Sequence, residues 1–168
     1  MDSRIALLLE SLDRGYNLTS WHGPNLRGAL KGVRADLAAK RPGLDRHNIW
    51  EVAVHCAYWK YVVRRRLLGE KRGSFPLKGS NFFKRPEGKV GLEKAWAEDL
   101  RLLDQVHQSL RDAIASWDPK LLEVRPKGSR SPVQRMILGV AAHDIYHAGQ
   151  IQLVKRLVNG KRSARSTK

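Results

Sequence analysis

Residues 131–160 read SPVQRMILGVAAHDIYHAGQIQLVKRLVNG, and the fold turns on how this stretch is read. Ser131 is a good N-cap, Pro132 suits a first helical turn and Gly160 stands past the end. The spacing predicts one long helix to about Val158. At seven-residue steps, one row is Val133, Val140, His147 and Val154, and its neighbour is Met136, His143, Gln150 and Leu157. Apolar rows of this kind face the interior of a helical bundle. Two histidines and a glutamine interrupt them, and polar groups in a core cost free energy unless they are paired. Something must satisfy them.

Helical periodicity recurs upstream. Ile5, Leu8, Leu9 and Leu12 mark a helix from Ser3, read as its N-cap, to about Tyr16. A short helix starts near Pro24 and carries Leu26, Leu30 and Val33. Lys40-Arg41-Pro42-Gly43 is a loop. Asn48, with Glu51 three residues on, caps a helix from Ile49 to about Leu68 that Gly69 stops. Its apolar row is Ile49, Val52, Cys56, Trp59, Val63 and Leu67. A third long helix runs from about Leu92 to Trp117, striped by Trp96, Leu100, Leu103, His107, Leu110 and Ile114, and Asp118-Pro119 ends it. Between the second and third long helices, residues 70–91 are broken by Gly73, Pro76, Gly79, Pro86, Gly88 and Gly91. That connection is long enough to cross the end of a bundle, and loops of such length are often functional. Another irregular stretch leads to Arg130. No segment reads as a strand. The expectation is an all-α single domain over residues 1–160, a four-helix bundle with long crossover loops, followed by a basic, disordered tail at 161–168.

His143 and His147 are four apart, which puts them on one helical face about 5–6 Å apart at Cβ. Two such imidazoles can converge on one metal, although HxxxH alone is equally a pair of core histidines bonded to backbone or water. His55 lies one step from the apolar seam of Val52, Cys56 and Trp59 and can also face inward. Three nitrogens with a fourth position open are the pattern of a catalytic rather than a structural metal site.

Three motifs resemble the DinB-like (damage-inducible, YfiT-type) superfamily: Ala142-His143-Asp144-Ile145-Tyr146-His147-Ala148-Gly149-Gln150-Ile151, His55-Cys56-Ala57-Tyr58-Trp59 and Trp21-His22-Gly23-Pro24-Asn25-Leu26. The resemblance covers nearly the whole chain. It implies an up-down-down-up four-helix bundle and a divalent-metal site on His55, His143 and His147. It also implies relatives that are metal-dependent transferases using low-molecular-weight thiols such as mycothiol or bacillithiol. The same platform would serve a hydrolase. Imidazole ligands suit zinc, and nickel next.

Other candidates each carry two readings. Gln150 orients a ligand or touches substrate, or else makes a helix-packing hydrogen bond. Asp144 accepts a proton from a ligand imidazole across the bundle, or is a solvated or capping residue. Trp59 lines the pocket or packs in the core. His107 is a fourth ligand or pocket wall, or a satisfied core histidine. His22 stands at the pocket mouth or packs at a helix start. Tyr146 is read as packing, His47 as surface, and Cys56 as core, since it lies about 100° around the helix from His55.

Composition bounds the rest. Hydrophobic residues at 42% and charged residues at 29% exclude a wholly disordered chain. The single cysteine forbids an intrachain disulfide, and no apolar run approaches the roughly 20 residues that span a bilayer. These features, with no signal peptide evident, point to a cytoplasmic protein without a membrane partner. The net charge of +16 attracts anions, nucleic acid among them. Arg64-Arg65-Arg66, Lys71-Arg72 and Lys84-Arg85 form no recognition element, so only nonspecific nucleic-acid binding is expected beside a small-molecule substrate. Apolar outer faces could support a homodimer.

Overall fold

The computed structural model describes residues 1–86 and 91–163. Among the described residues all regular structure is helical: α1 (Ser3–Tyr16), α2 (Leu26–Leu30), α3 (Ala35–Ala38), α4 (Ile49–Leu67), α5 (Leu92–Ala115) and α6 (Val133–Ser163), with a 3-10 turn at Pro119–Leu121. No helix among them is long and apolar enough to cross a membrane.

The local chemistry accounts for most boundaries. Asn48 Oδ1 accepts from Glu51 N at 2.8 Å and starts α4, as read from the sequence. Asp2, not Ser3, caps α1, its carboxylate accepting from Arg4 N at 2.8 Å. Gly69 takes a left-handed φ of 67° just past the end of α4, a conformation only glycine adopts without strain. Gly160 does not stop α6, which runs on to Ser163. An interior glycine costs a helix only about 1 kcal/mol, and no proline follows to end it. The rest of the basic tail, 164–168, lies outside the described residues.

Two core clusters give the helix directions. One joins Ile5, Leu8, Leu9 and Leu12 of α1 to Val63 and Leu67 of α4, Leu110 and Ile114 of α5, and Val133, Ile137 and Val140 of α6. The other joins Tyr16, the short helices α2 and α3, the first turns of α4 and α5, and Ala148 and Ile151 of α6. Thus α1 and α6 run one way and α4 and α5 the other. Because α4 and α5 are parallel, the connection between them must return along the roughly 28 Å length of α4. That return carries Phe82 and Asn81 past the middle of the bundle. α1 and α6 approach closely at Gly15, where a Cβ would lie 2.7 Å from the Ala141 carbonyl oxygen.

One ion pair crosses the centre of the bundle. Lys60 of α4 donates to Asp144 of α6, and both side chains are fully buried. The Lys60 ammonium also stands 4.8 Å from the centre of the Tyr16 ring. Burial raises the Asp144 pKa against the pull of Lys60. Removing one member of a buried pair strands the other charge and costs about 3–5 kcal/mol, whereas an apolar replacement of both is often neutral. Lys60→Met should therefore destabilise the fold by about that amount in urea unfolding, and Lys60→Met/Asp144→Leu should recover most of it. A loss in the double variant equal to the sum of the Lys60→Met and Asp144→Leu losses would show that the pair is not coupled.

Candidate metal centre

His55 projects from the middle of α4, and His143 and His147 project from one face of α6. The side-chain nitrogens of the three come together: His143 Nε2 lies 3.0 Å from His55 Nε2 and 3.1 Å from His147 Nε2. The outer nitrogens of two rings are tied down. The backbone carbonyl of Asn81, on the α4–α5 crossover, lies 2.9 Å from His55 Nδ1. Gln150 Oε1 lies 2.7 Å from His147 Nδ1. Both oxygens only accept, so each Nδ1 carries the proton and each Nε2 presents a lone pair.

This fixes what can sit between the rings. Two lone pairs face His143 Nε2 at hydrogen-bond distance, and that nitrogen can offer at most one proton. At least one short N···N contact therefore sets lone pair against lone pair. A cation removes the conflict. Nitrogens bound at about 2.0–2.1 Å to a tetrahedral zinc lie about 3.3 Å apart, close to the spacing found here. The imidazoles are also in the ligand form. Burial, opposed by the Asn81 bond, lowers His55 to about 4, and burial together with the other two rings lowers His143 to about 3. Burial likewise lowers His147, against the Gln150 bond. His55, His143 and His147 could thus hold a metal ion.

The three rings form the floor of a cavity of about 970 Å³. Trp59 lines it, with its Nε1 donating to Asn81 Oδ1 at 3.1 Å. Phe82 stacks on His55 at 4.0 Å between centroids, and His47 stacks on Phe82 at 3.6 Å. Tyr146, Leu153 and Leu157 form a largely exposed apolar wall along α6.

A family model described as the DinB superfamily matches residues 18–151. The chain belongs to the DinB superfamily. No curated protein and no solved structure matches it. The span shared with the DinB superfamily contains all three histidines and the crossover that closes over them.

The remaining candidates separate cleanly in this DinB-superfamily chain. Gln150 does hold a histidine, and Trp59 does line the cavity. Asp144 neither meets an imidazole proton nor reaches solvent, because Lys60 takes its carboxylate. Its neighbour Cys56 is fully buried, and burial raises the thiol pKa well above normal. Cys56, His143 and Asp144 do offer atoms within 4.8 Å of one another, but a protonated thiol and a lysine-bound carboxylate make poor ligands. His107 is a core histidine on the far side of Lys60: it stacks on Tyr16 at 3.7 Å, with Nε2 3.3 Å from Asp13 Oδ1. His22 is exposed and does not line the cavity, and Trp21 beside it is 99% exposed, so neither residue packs or reaches the site.

Two expectations on α6 are corrected. Tyr146 is not packing and Leu157 is not core, because no helix covers that face of α6 where the cavity opens. His47 is on the surface as read from the sequence, and it also lines the cavity, its Nδ1 2.9 Å from the buried carboxylate of Glu51. Asn81 and Phe82 escaped the sequence reading altogether. The one sign of them was an aromatic pair, Phe82-Phe83, in an otherwise polar connection.

Two measurements follow from this geometry. Gln150→Leu removes the acceptor that orients His147 and should weaken zinc binding about 10–100-fold in competition with a chromophoric chelator, while Gln150→Glu should not. Unchanged affinity in the leucine variant would remove Gln150 from the site. His107 gives a pH signature. Burial, with Lys60 and Arg111, lowers its pKa to about 3. The stability that neutral His107 contributes is complete above the unfolded value of about 6.5 and is lost as pH falls toward the folded value. His107→Phe should lower the slope of unfolding free energy between about pH 4 and 6 by about 1.4 kcal/mol per pH unit. An unaltered slope would mean that His107 is protonated in the fold.

Proposed function

We propose that this protein is a metal-dependent enzyme, a low-molecular-weight-thiol-dependent S-transferase or a related hydrolase. The observation that carries the reading is the convergence of three Nε2 atoms at the floor of a cavity open to small molecules. His55, His143 and His147 would hold one divalent cation, zinc or nickel. Among the described residues no fourth side chain joins the three. A position is thereby left facing the cavity, which favours a reactive site over a purely structural one. The cation would supply Lewis acidity, drawing the pKa of a thiol or water at that position toward neutrality.

The chain's own groups provide the rest. The Asn81 carbonyl and Gln150 keep the Nδ1 protons of His55 and His147 on the outside, so both Nε2 atoms stay basic toward the cavity. Trp59 and Phe82 shield the floor from bulk water. His47 is the cavity imidazole that does not join the other three. Its Nδ1–H donates to the Glu51 carboxylate, which leaves Nε2 as the lone-pair nitrogen. Arg41 binds the same carboxylate at 3.0 and 2.6 Å, and with His47 it holds Glu51 below the usual carboxylate range despite burial. An imidazole oriented in this way is suited to take the proton of the nucleophile.

Zinc- or nickel-loaded protein should turn over in thiol-transfer or ester-hydrolysis screens. His143→Ala/His147→Ala should abolish that turnover, and His47→Gln should lower kcat about 100-fold or more. Activity that survives the loss of both α6 histidines would contradict the reading.

A further inference from the structure

The cavity above the three histidines is chemically lopsided. Among the described residues it is lined by no carboxylate and by one arginine, Arg46. The α6 wall exposes 63% of Tyr146, 57% of Leu153 and 47% of Leu157. An apolar wall this open gains by being covered.

The Arg46 backbone is held in place. Arg41 donates to the Arg46 carbonyl at 2.8 Å and is itself bound to Glu51, whose side chain is only 4% exposed. The Arg46 guanidinium has no acidic partner among the described residues. A second cavity of about 1030 Å³ adjoins the first, sharing Gly43, Arg46, His47 and Phe82 with it. It adds three more cations, Arg41, Lys84 and Arg85, and two carboxylates, Asp45 and Glu51. Arg41 is committed to Glu51 and Arg85 to Asp99, while Lys84 has no partner among the described residues. Arg46, on the lining of both cavities, and Lys84, on the lining of the second, therefore stand without an acidic partner among the described residues.

We propose that this cavity takes an amphiphilic anion. Its acid group, a carboxylate, sulfonate or phosphate, binds at Arg46 and Lys84, and its apolar body lies along Tyr146, Leu153 and Leu157 above the histidine floor. This inference names a substrate class for the proposed enzyme and rests on the reading of the cavity as its active site. The net charge of +16 draws anions to the whole surface, so the test must separate local from general attraction.

Two fluorescent probes share one apolar body and differ in charge: 8-anilinonaphthalene-1-sulfonate and neutral N-phenyl-1-naphthylamine. The intact protein should bind the sulfonate at least about tenfold more tightly, as expected for one to two partly screened charge contacts. Octanoate should displace it, and octylammonium should not. Arg46→Gln should weaken the sulfonate about fivefold to tenfold and leave the neutral probe unchanged, while Arg46→Lys should stay near wild type. Leu153→Asp should weaken both probes, the anion more. Arg125→Gln, at an exposed arginine on the loop before α6, is the control for general charge and should change neither. Equal affinity for the two probes would overturn the proposal, as would an Arg46→Gln effect shared by both probes or reproduced by Arg125→Gln. Metal content measured on the same samples keeps the outcomes apart. Loss of the anion preference with metal bound rejects the substrate class alone, and absence of metal rejects the enzyme reading alone.

Discussion

Three imidazole nitrogens held 3.0 and 3.1 Å apart, with two ring protons turned away from the centre, set one constraint on this bundle: their lone pairs face one another, an arrangement that a cation could satisfy. Neutral rings cannot meet it by sharing protons, since His143 can donate to only one neighbour. Protonated rings cannot meet it either, because burial holds His55 and His143 far below neutral pKa values. Both exits are closed by groups outside the triad, the Asn81 carbonyl and the Gln150 amide. The site is therefore a property of the whole fold rather than of an HxxxH spacing.

The helix order makes those outside groups available. Parallel α4 and α5 force a long return connection, and that connection delivers Asn81 to His55 and lays Phe82 over the ring. Asn81 itself adopts a left-handed φ of 67°, a conformation asparagine tolerates better than most residues, and from it both its carbonyl and its side chain reach the site. Behind the triad, the Lys60–Asp144 pair joins the same two helices that carry the histidines. Asp144 directly follows His143, so the pair also fixes how α6 is rotated against α4. The apolar face that this rotation leaves open becomes the wall of the cavity.

Much of this was legible in the sequence. His143 and His147 stood out because they interrupt apolar rows at a spacing that places them on one face, and the long helices announced themselves by periodicity and caps. The resemblance to the superfamily then tied His55 to them. Lys60 left a fainter trace: it shares a row with Cys56, Val63 and Leu67, all buried, as Asp144 does with Ala141, Ala148 and Ile151. A lone base and a lone acid in two apolar rows are a pair waiting to meet, but rows within single helices do not say which helices face each other. Asn81, Phe82 and His47 were beyond reach for a related reason. They act from irregular segments whose path is set by tertiary packing, and no period marks them. Tyr146 and Leu157 were misread because periodicity predicts a face without saying whether another element covers it.

The most direct test of the account is metal content, measured by elemental mass spectrometry on untagged protein purified without chelator. The account predicts about one equivalent of zinc or nickel per chain in the wild type and almost none in a folded His143→Ala/His147→Ala variant. A wild type that stays empty after reconstitution with either metal would contradict it, and would leave the three histidines as a polar network in the core.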